Sequence, residues 1–400
     1  MPGPGRNRIL IWMCVLIAVN QLGFGSIMPV IALYARSFGV SQSAIGVAVA
    51  VYGLARFLLA LPAGQLADRL GRRAGLALGG LVTAAGNLFC ALAPDYATFV
   101  AARFVAGAGA ALVITTGVIV LADISTPAQR GRLMSVYQGT FLFAVGVGPL
   151  PGGLLAERYG LPAPFAFYAV AGTLAAVLAF FRVPETRDFR GGGEASAETP
   201  PAFAAQLRLL AGRLGFVLVG LTAFMAAVAR TGGLFSVIPI LARDRLGLTT
   251  DRIGFGMALA SIVGLALAYP AGVMVDRYGR KIVIVPATAM SGLSLVVFLF
   301  APSYAWFLAA CVVWSIAAGI GGAAPAAYAA DVAPPGMNAA AMSAYRMVGD
   351  LGYVVGPVVL GVATDLVGAD ATLGATAVLL VCVAVLFGRL APEVYRAGRP

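Results

Sequence analysis

The sequence predicts an all-α membrane protein, with twelve transmembrane helices arranged as two pseudo-symmetric six-helix halves. Hydrophobic residues make up 60% of the 400 residues and charged residues 11%, whereas soluble domains average about 45–50% apolar and about 25% charged residues. Apolar stretches of about 20 residues, the length that crosses a bilayer, recur along the whole chain. The motifs of the first half return in the second half at a constant spacing. This composition leaves no room for a soluble catalytic domain.

Apolar runs bounded by glycine, proline or charged residues predict the individual helices. The first apolar run follows a short basic segment and continues for about 25 residues without a small-residue cleavage site, so we expect a retained helix and not a signal peptide. A polar, glycine- and proline-containing stretch at 185–201 predicts a cytoplasmic linker. The predicted domains are 1–183, the linker 184–212 and 213–400. The predicted helices cover 9–34, 43–66, 74–94, 97–122, 132–156, 161–182, 214–241, 252–274, 282–301, 303–330, 339–363 and 369–391.

The formal charge of +11 reflects topology and not a nucleic-acid partner. Most arginines fall in alternate loops on one side of the predicted membrane, and few, such as Arg158 and Arg252, fall on the other. This bias places the basic loops and both termini in the cytoplasm of a multi-pass inner-membrane protein. We expect the partners to be the lipid bilayer, a small-molecule substrate and protons, with the chain acting as a monomer.

The two halves repeat each other at an offset of 208 residues, the separation of Asp68 from Asp276. One register is kept over most of each half, which predicts an internal duplication whose halves are related by an axis along the membrane normal. The same offset aligns Gly46 with Gly254, Asp123 with Asp331, Tyr137 with Tyr345, Gly148-Pro149 with Gly356-Pro357, and Gly153 with Gly361.

The loops after the second and eighth predicted helices carry the most specific motif. The first reads GQLADRLGRR and the second GVMVDRYGRK, and both resemble the loop signature of the major facilitator superfamily. The resemblance implies that Asp68 caps the eleventh helix in the outward-facing state and that Arg72 and Asp123 join the same charge cluster. In the alternative interpretation the arginines only enforce topology. The motif residues are Gly64, Asp68, Arg69, Gly71 and Arg72, then Gly272, Asp276, Arg277, Gly279 and Arg280.

Arg103 lies inside the fourth predicted helix, where an arginine is costly without a wet cavity or a partner. The string RFVAGAGAA, which it begins, is similar to a superfamily motif linked to proton coupling, with Ala106 in place of a glutamine. The resemblance implies a role for Arg103 in coupling. A purely structural hydrogen-bonding role is the alternative.

The fifth predicted helix contains the string GPLPGG, which matches the core of the superfamily's antiporter signature. Gly148, Pro149, Gly152 and Gly153 form this predicted bend, and Ser135 and Ala144 replace two upstream glycines. The first helix, with Pro29, resembles a pattern of twelve-helix drug:proton antiporters. The resemblance implies proton-coupled export of drugs or other small amphiphilic compounds; a kinked packing helix in an importer is the alternative.

Asp350 is the one carboxylate that the predicted boundaries place well inside a membrane helix. Arg346 precedes it by one helical turn on the same face. We therefore expect Asp350 to carry the proton and Arg346 to respond to its protonation. A permanent ion pair between the two residues is the alternative.

Two further arginines, Arg56 and Arg230, lie inside predicted membrane helices. Together with Arg103 and Arg346, they outnumber Asp350 and favour anionic, zwitterionic or neutral substrates over cations. Snorkelling to an interface is the alternative for either one. The candidate cavity residues are Asn20, Gln21, Tyr52, Arg56, Tyr137, Gln138, Arg230, Trp314 and Tyr345.

The remaining composition argues against enzyme chemistry. The sequence contains no histidine, and its four cysteines form no Cys-x-x-Cys pair, so neither a metal, a cofactor nor a disulfide framework is expected. The competing functional classes are a facilitator or symporter that imports a sugar, organic acid or other nutrient, and a membrane receptor on the same scaffold.

Overall fold

In the computed structural model, which describes residues 4–125, 127–187, 203–322, 324–334 and 337–393, nearly every described residue is helical. The chain divides into two units. The first unit comprises Met1–Val40, Val47–Ala195 and Thr249–Ala258, and the second comprises Ser41–Gly46, Ser196–Leu248 and Leu259–Pro400.

Prolines and glycines decide where the helices of the first half break. The first predicted helix, 9–34, is two helices because Pro29 has no backbone N–H to continue the ladder. The fifth is interrupted at Gly148, and Pro149 opens the next helix at its first position, where a missing N–H is harmless. The helices are α1 (Pro4–Ser26), α2 (Ile31–Ser37), α3 (Gln42–Leu70), α4 (Arg72–Ala91), α5 (Tyr96–Ile124), α6 (Pro127–Val147), α7 (Pro149–Tyr159) and α8 (Ala163–Arg182).

Small residues allow the helices of the first unit to pack closely. Helix α4 packs against α5 and α8, and α1 packs against α6 and α8. A Cβ added to Gly109 would collide with the backbone nitrogen of Thr83, and one added to Gly86 would collide with that of Ala106. Such crossings of small residues are typical of membrane helices. Ala106, which replaces the glutamine of the superfamily motif, therefore lies in a helix crossing.

The helices of the second half show breaks that the apolar pattern does not predict. The predicted helix 214–241 contains a nine-residue π-helix, Ala229–Val237, and the predicted linker 184–212 ends in a helix whose Leu210 is fully buried. The elements are α9 (Phe203–Ala211), α10 (Leu214–Val228), the π-helix, α11 (Ile238–Leu246), α12 (Thr250–Tyr278), α13 (Lys281–Leu299), α14 (Tyr304–Gly321), α15 (Ala324–Asp331) and α16 (Asn338–Leu390).

The core of the second unit lies where α16 meets α10 and α13, and α13 also packs against α14. Tyr328 and Phe387 make an edge-to-face contact there, with ring centroids 5.0 Å apart, and the Tyr328 hydroxyl donates to the carbonyl oxygen of Pro392 at 2.7 Å. These contacts attach the end of α16 to α15.

Eleven of the described segments are long and apolar enough to cross a membrane. The last of them, Ala340–Leu390, has 51 residues, more than twice the roughly 20 that one crossing needs. Gly368 breaks its helix with a φ of 84° and a ψ of 162°, so the segment contains two crossing helices. The described part of the chain thus provides twelve membrane helices, and the predicted all-α fold class is confirmed.

Candidate functional site

The first motif loop builds a buried charge cluster around Arg72 at the start of α4. The Arg72 side chain is 1% exposed, and its Nε lies 2.8 Å from Oδ2 of Asp123, which is 2% exposed. Its Nη1 lies 2.9 Å from Oδ1 of the more exposed Asp68, one turn earlier in the chain. The structure therefore brings these three residues together. Arg69, in the same loop, is exposed, and Gly64 faces Thr115 of α5.

Glu185, just after α8, completes this cluster by capping the start of α4. Its carboxylate accepts hydrogen bonds from the backbone N–H groups of Arg72, at 3.0 Å, and Arg73, at 3.3 Å. Gly71 has a φ of 91°, and any Cβ there would collide with the Glu185 carboxylate. Glycine is therefore required at this position both for its backbone conformation and for the approach of the cap. Thr186 donates to Asp123 at 3.2 Å.

The pattern analysis missed Glu185 and Thr186 as members of the cluster. The signal that identifies Glu185 is the repeat itself, because the 208-residue offset aligns Pro184-Glu185 with Pro392-Glu393. A charged residue preserved just beyond the last helix of each half is unexpected from composition alone.

We expect Glu185→Gln to destabilise the first unit only where the wild-type carboxylate is ionised. Burial opposes ionisation of Glu185, but the backbone N–H groups of Arg72, Arg187, Arg73 and Thr186 outweigh it and hold the pKa of Glu185 below its ordinary value. The stabilisation from the ionised cap is therefore present above that ordinary value and is lost as the pH falls through the lowered pKa.

The expected size of this effect is that of a helix cap, about 1 kcal/mol near neutral pH. Thermal unfolding of purified wild type and Glu185→Gln across a pH series measures it. The two proteins should converge at acid pH, and a difference that stayed constant with pH would refute the assignment of the cap to an ionised carboxylate.

The second motif loop repeats this arrangement in a more exposed form. Arg280 Nε lies 2.8 Å from Asp331 Oδ2, with the side chains 20% and 34% exposed. Its Nη1 donates to the Val275 carbonyl oxygen at 3.2 Å, as Arg72 does to Ala67 at 3.4 Å. Gly279 has a φ of 98°, and Arg277 lies beside the Tyr278 ring. Gly272 and Asp276 lie outside the residues whose side chains are described.

Arg103 is buried in the first unit, with 1% of its side chain exposed. Its Nε donates to the Ala48 carbonyl oxygen at 3.3 Å, and its guanidinium carbon lies 4.5 Å from the centre of the Tyr52 ring. The Tyr52 hydroxyl is 3.4 Å from that of Tyr168. Among the described residues, no carboxylate lies within ion-pair distance of Arg103. A carbonyl oxygen and an aromatic face contact the cation instead, and its buried Nη1 has no hydrogen-bond partner among the described residues.

The glycines of the antiporter-like string form a backbone-to-backbone crossing with α1. A Cβ on Gly148 would lie 2.6 Å from the Gly25 Cα atom, and one on Gly152 would collide with the Ser26 carbonyl oxygen. Gly153 faces Thr250 within the same unit, with 2.7 Å from a Cβ to the carbonyl oxygen. Pro149 is buried at the start of α7. The predicted bend is therefore a tightly packed helix break.

We expect Gly152→Ala to lower the free energy of unfolding by about 1–3 kcal/mol, the usual range for overpacking a filled site. The added methyl group meets a backbone carbonyl, which cannot rotate away as a side chain can. Gly139→Ala in α6 is the matched control, since a Cβ there meets no atom within 4 Å, and it should be neutral or slightly stabilising. Thermal unfolding of the two variants compares them, and equal shifts would contradict the crossing.

A cavity of about 360 Å³ lies within the second unit. It is lined by residues of α10, the π-helix, α13, α14, α15 and α16. Five residues singled out in the sequence meet at its wall, namely Arg230, Trp314, Tyr345, Arg346 and Asp350.

The π-helix places Arg230 at this cavity. Arg230 is its second residue, and the next residue, Thr231, donates to the carbonyl oxygens of Ala227 at 2.9 Å and Tyr353 at 3.3 Å. A π-helix leaves the regular ladder and changes the direction of the side chains on it, and such segments are frequent at functional sites. The position of this irregularity supports the cavity as a binding site.

The cavity offers few free hydroxyl donors. Thr222, Thr288 and Ser291 line it, and each donates to a carbonyl oxygen of its own helix. Arg346 is exposed and Asp350 half-buried, and in the described part of the chain the two side chains form no ion pair within 4 Å. The cavity wall therefore presents opposite charges that do not neutralise each other by direct contact.

The other candidate cavity residues belong to the first unit and lie elsewhere. Asn20, Gln21, Tyr52 and Tyr137 are buried there, each with 3% exposure or less. Both polar side-chain atoms of Asn20 and the Tyr137 hydroxyl are without a hydrogen-bond partner among the described residues. Arg56 is half-buried and Gln138 exposed. None of these residues lines the cavity of the second unit.

The family is decided by comparison with known proteins. The sequence model described as "Major Facilitator Superfamily" matches residues 13–264 and 219–399, which together span most of the chain. The chain belongs to the major facilitator superfamily. It is therefore a multi-pass membrane protein of a transporter family, and the fold that the loop motifs imply is confirmed.

Individual relatives agree with this family at low identity. The chain is 23% identical to an MFS-type transporter of Methanocaldococcus jannaschii over 91% of this chain and 92% of that one. It is 29% identical to the class C tetracycline resistance protein of Escherichia coli over 79% of each chain. A bacterial homologue of the human lysosomal transporter Spinster has a solved structure with a TM-score of 0.79, at 17% identity over 97% of each chain. This structural likeness establishes the fold of the superfamily member alone.

Proposed function

We propose that this superfamily member is a proton-coupled secondary transporter that exports small amphiphilic compounds by alternating access. The observation that carries the proposal is the pair of unneutralised charges, Arg346 and Asp350, on the wall of one cavity that also contains apolar and aromatic surface. Ionisable residues inside membrane helices commonly mark ion and proton pathways. Asp350 is the proton carrier in this proposal, and Arg346 is the positive charge that remains on the cavity wall when Asp350 is protonated.

Coupling follows if the substrate and the proton compete for the same carboxylate. A proton on Asp350 removes the negative charge that a hydrogen-bond donor of the substrate would contact. Deprotonation restores that charge and admits the substrate. Binding of the two is then mutually exclusive, which is the requirement for exchange across the membrane.

The energy that the membrane potential provides is sufficient for an exporter of this kind to confer drug resistance. Moving one charge across about 100 mV is worth roughly 2.3 kcal/mol, which sustains a concentration ratio of about 50-fold for a neutral substrate exchanged against one proton. The direction of transport is proposed from the glycine crossing around Gly148 and Gly152 and from the relative named for tetracycline resistance. We place the protein in the inner membrane as a monomer, with both termini in the cytoplasm.

Proton flux in proteoliposomes tests this function directly. Purified protein is reconstituted with a pH-sensitive dye inside the vesicles, and drugs, sugars and organic anions are added under an imposed gradient. Substrate-induced proton movement in the exchange direction is expected for at least one amphiphilic compound. Saturable uptake of a sugar or organic acid without proton movement would overturn the proposal and favour a facilitator that imports nutrients.

A further inference from the structure

Two opposite charges lie one helical turn apart on the cavity-facing side of α16. Arg346 and Asp350 are four positions apart in the helix, so their Cβ atoms are about 5–6 Å apart on one face. At this spacing an arginine and an aspartate commonly pair directly, yet the described residues show no ion pair between them within 4 Å. Both side chains instead contribute to the same cavity wall.

The charges around them define which ligand neutralises the site. The titratable or charged residues that line the cavity are Arg230 on the π-helix and Tyr345, Arg346, Asp350 and Tyr353 on α16, whereas α13 and α14 contribute none. A lone cation at Asp350 would share the cavity wall with the guanidinium groups of Arg230 and Arg346. A lone anion at Arg346 would add a like charge one helical turn from the carboxylate of Asp350 and would leave that carboxylate without a partner.

A ligand that carries both charges avoids both costs. In an α-amino acid head group, the ammonium and carboxylate are joined through a single carbon atom, a separation that fits between side chains one turn apart. The carboxylate can accept two parallel hydrogen bonds from the guanidinium of Arg346. The ammonium can donate to Asp350.

The rest of the cavity suits an apolar body. Trp314 lines it from α14 with only 7% of its surface exposed, and Ile284 and Leu380 add aliphatic surface from α13 and α16. Aromatic ligands gain both area burial and ring contacts at such a wall. The volume of about 360 Å³ is within the usual range for small-ligand pockets.

We propose that this cavity binds an amphiphilic zwitterion, with its carboxylate at Arg346, its ammonium at Asp350 and its apolar body against Trp314. This inference rests on the proposed function and narrows its substrate class. It also assigns the chemistry of exchange: the ammonium binds Asp350 only as a carboxylate, so binding to the protonated form requires that its proton leave to the solvent. A purely anionic substrate would instead favour protonation of Asp350 and would travel with the proton.

A series of fluorescent probes that differ only in charge tests the proposal. Nε-dansyl-lysine is the zwitterion, its methyl ester is the matched cation, and its Nα-acetyl derivative is the matched anion. Binding to the full-length chain in nanodiscs is followed by dansyl fluorescence, and proton release is followed in weakly buffered solution. The zwitterion is expected to bind at least about tenfold more tightly than either derivative and to release protons on binding.

Two variants should change the preference for the zwitterionic probe in opposite directions, one towards the anion and one towards the cation. Asp350→Asn should weaken the zwitterion at least about tenfold and make the Nα-acetyl anion the preferred probe. Arg346→Gln should weaken it similarly and make the methyl ester preferred. A change of preference cannot result from misfolding, because an unfolded variant binds none of the probes specifically.

Three results would overturn the inference: stronger binding of the ester or of the acetylated probe to the wild type, no binding of any probe, or unchanged preference in both variants. If the methyl ester alone drives proton release, the exporter function stands and only the zwitterion class fails. If no compound in the proteoliposome panel moves protons while the zwitterion still binds, the proposed exchange fails and the binding site stands.

Discussion

Replacing Arg72 with glutamine is expected to lower the free energy of unfolding by about 3–5 kcal/mol, the usual cost of removing one partner of a buried ion pair. The substitution leaves the carboxylate of Asp123, which is 2% exposed, without its guanidinium. It also removes the contact between Arg72 and Asp68. Thermal unfolding of the purified protein in detergent, followed by size-exclusion chromatography of the folded fraction, measures the loss.

The duplicated fold provides a matched control at the equivalent position. Arg280→Gln removes an ion pair to Asp331 with the same 2.8 Å distance, but those side chains are 20% and 34% exposed. Solvent screens such a pair, so we expect a cost of about 1 kcal/mol or less. If both substitutions shifted the unfolding temperature equally, burial would not be the reason for the strength of the Arg72 cluster.

The second large effect concerns transport. Asp350→Asn is expected to reduce proton-driven substrate accumulation by about 10–50-fold, because losing the proton carrier removes most or all of the roughly 50-fold ratio that one exchanged proton sustains across about 100 mV. Asparagine keeps the shape of the side chain but neither binds nor releases a proton in this pH range. Uptake into inverted membrane vesicles energised by a pH gradient measures the loss.

Asp370→Asn serves as the control for this experiment. Asp370 is 58% exposed, pairs with Arg245 at 2.6 Å and does not line the cavity. Its substitution should leave accumulation within about twofold of wild type, because exposed ion pairs contribute little. If Asp350→Asn kept full transport with a normal dependence on the pH gradient, Asp350 would not be the proton carrier, and another group would have to carry the proton.

Most of the fold was predictable because bilayer thickness fixes the length of an apolar run. The breaks at Pro29 and Gly148 follow from local chemistry, and the break at Gly368 lies between two predicted helices. The π-helix around Arg230 had no such signal, since its residues also fit an ordinary helix. It depends on tertiary contacts such as the one between Thr231 and Tyr353.

The candidate site was predictable where the residue type alone restricts the environment. An arginine or aspartate in a membrane helix needs a partner or a cavity, and Arg230, Arg346 and Asp350, which the sequence indicates for this reason, all line one cavity. Side chains such as Tyr137 and Asn20 are compatible with either packing or a cavity wall. Whether a side chain is buried or lines a cavity depends on neighbouring helices, and no local pattern records that.

The unequal burial of the two duplicated ion pairs also has an evolutionary consequence. The pair of Arg72 and Asp123 can be replaced only if both residues change together, because a change of either residue alone leaves the other as an unpaired buried charge, which is strongly destabilising. The pair of Arg280 and Asp331 can drift through nearly neutral single changes. Descendants of this duplicated gene are therefore expected to lose the second pair first, so that the ancestral symmetry of the halves erodes from the carboxyl-terminal copy.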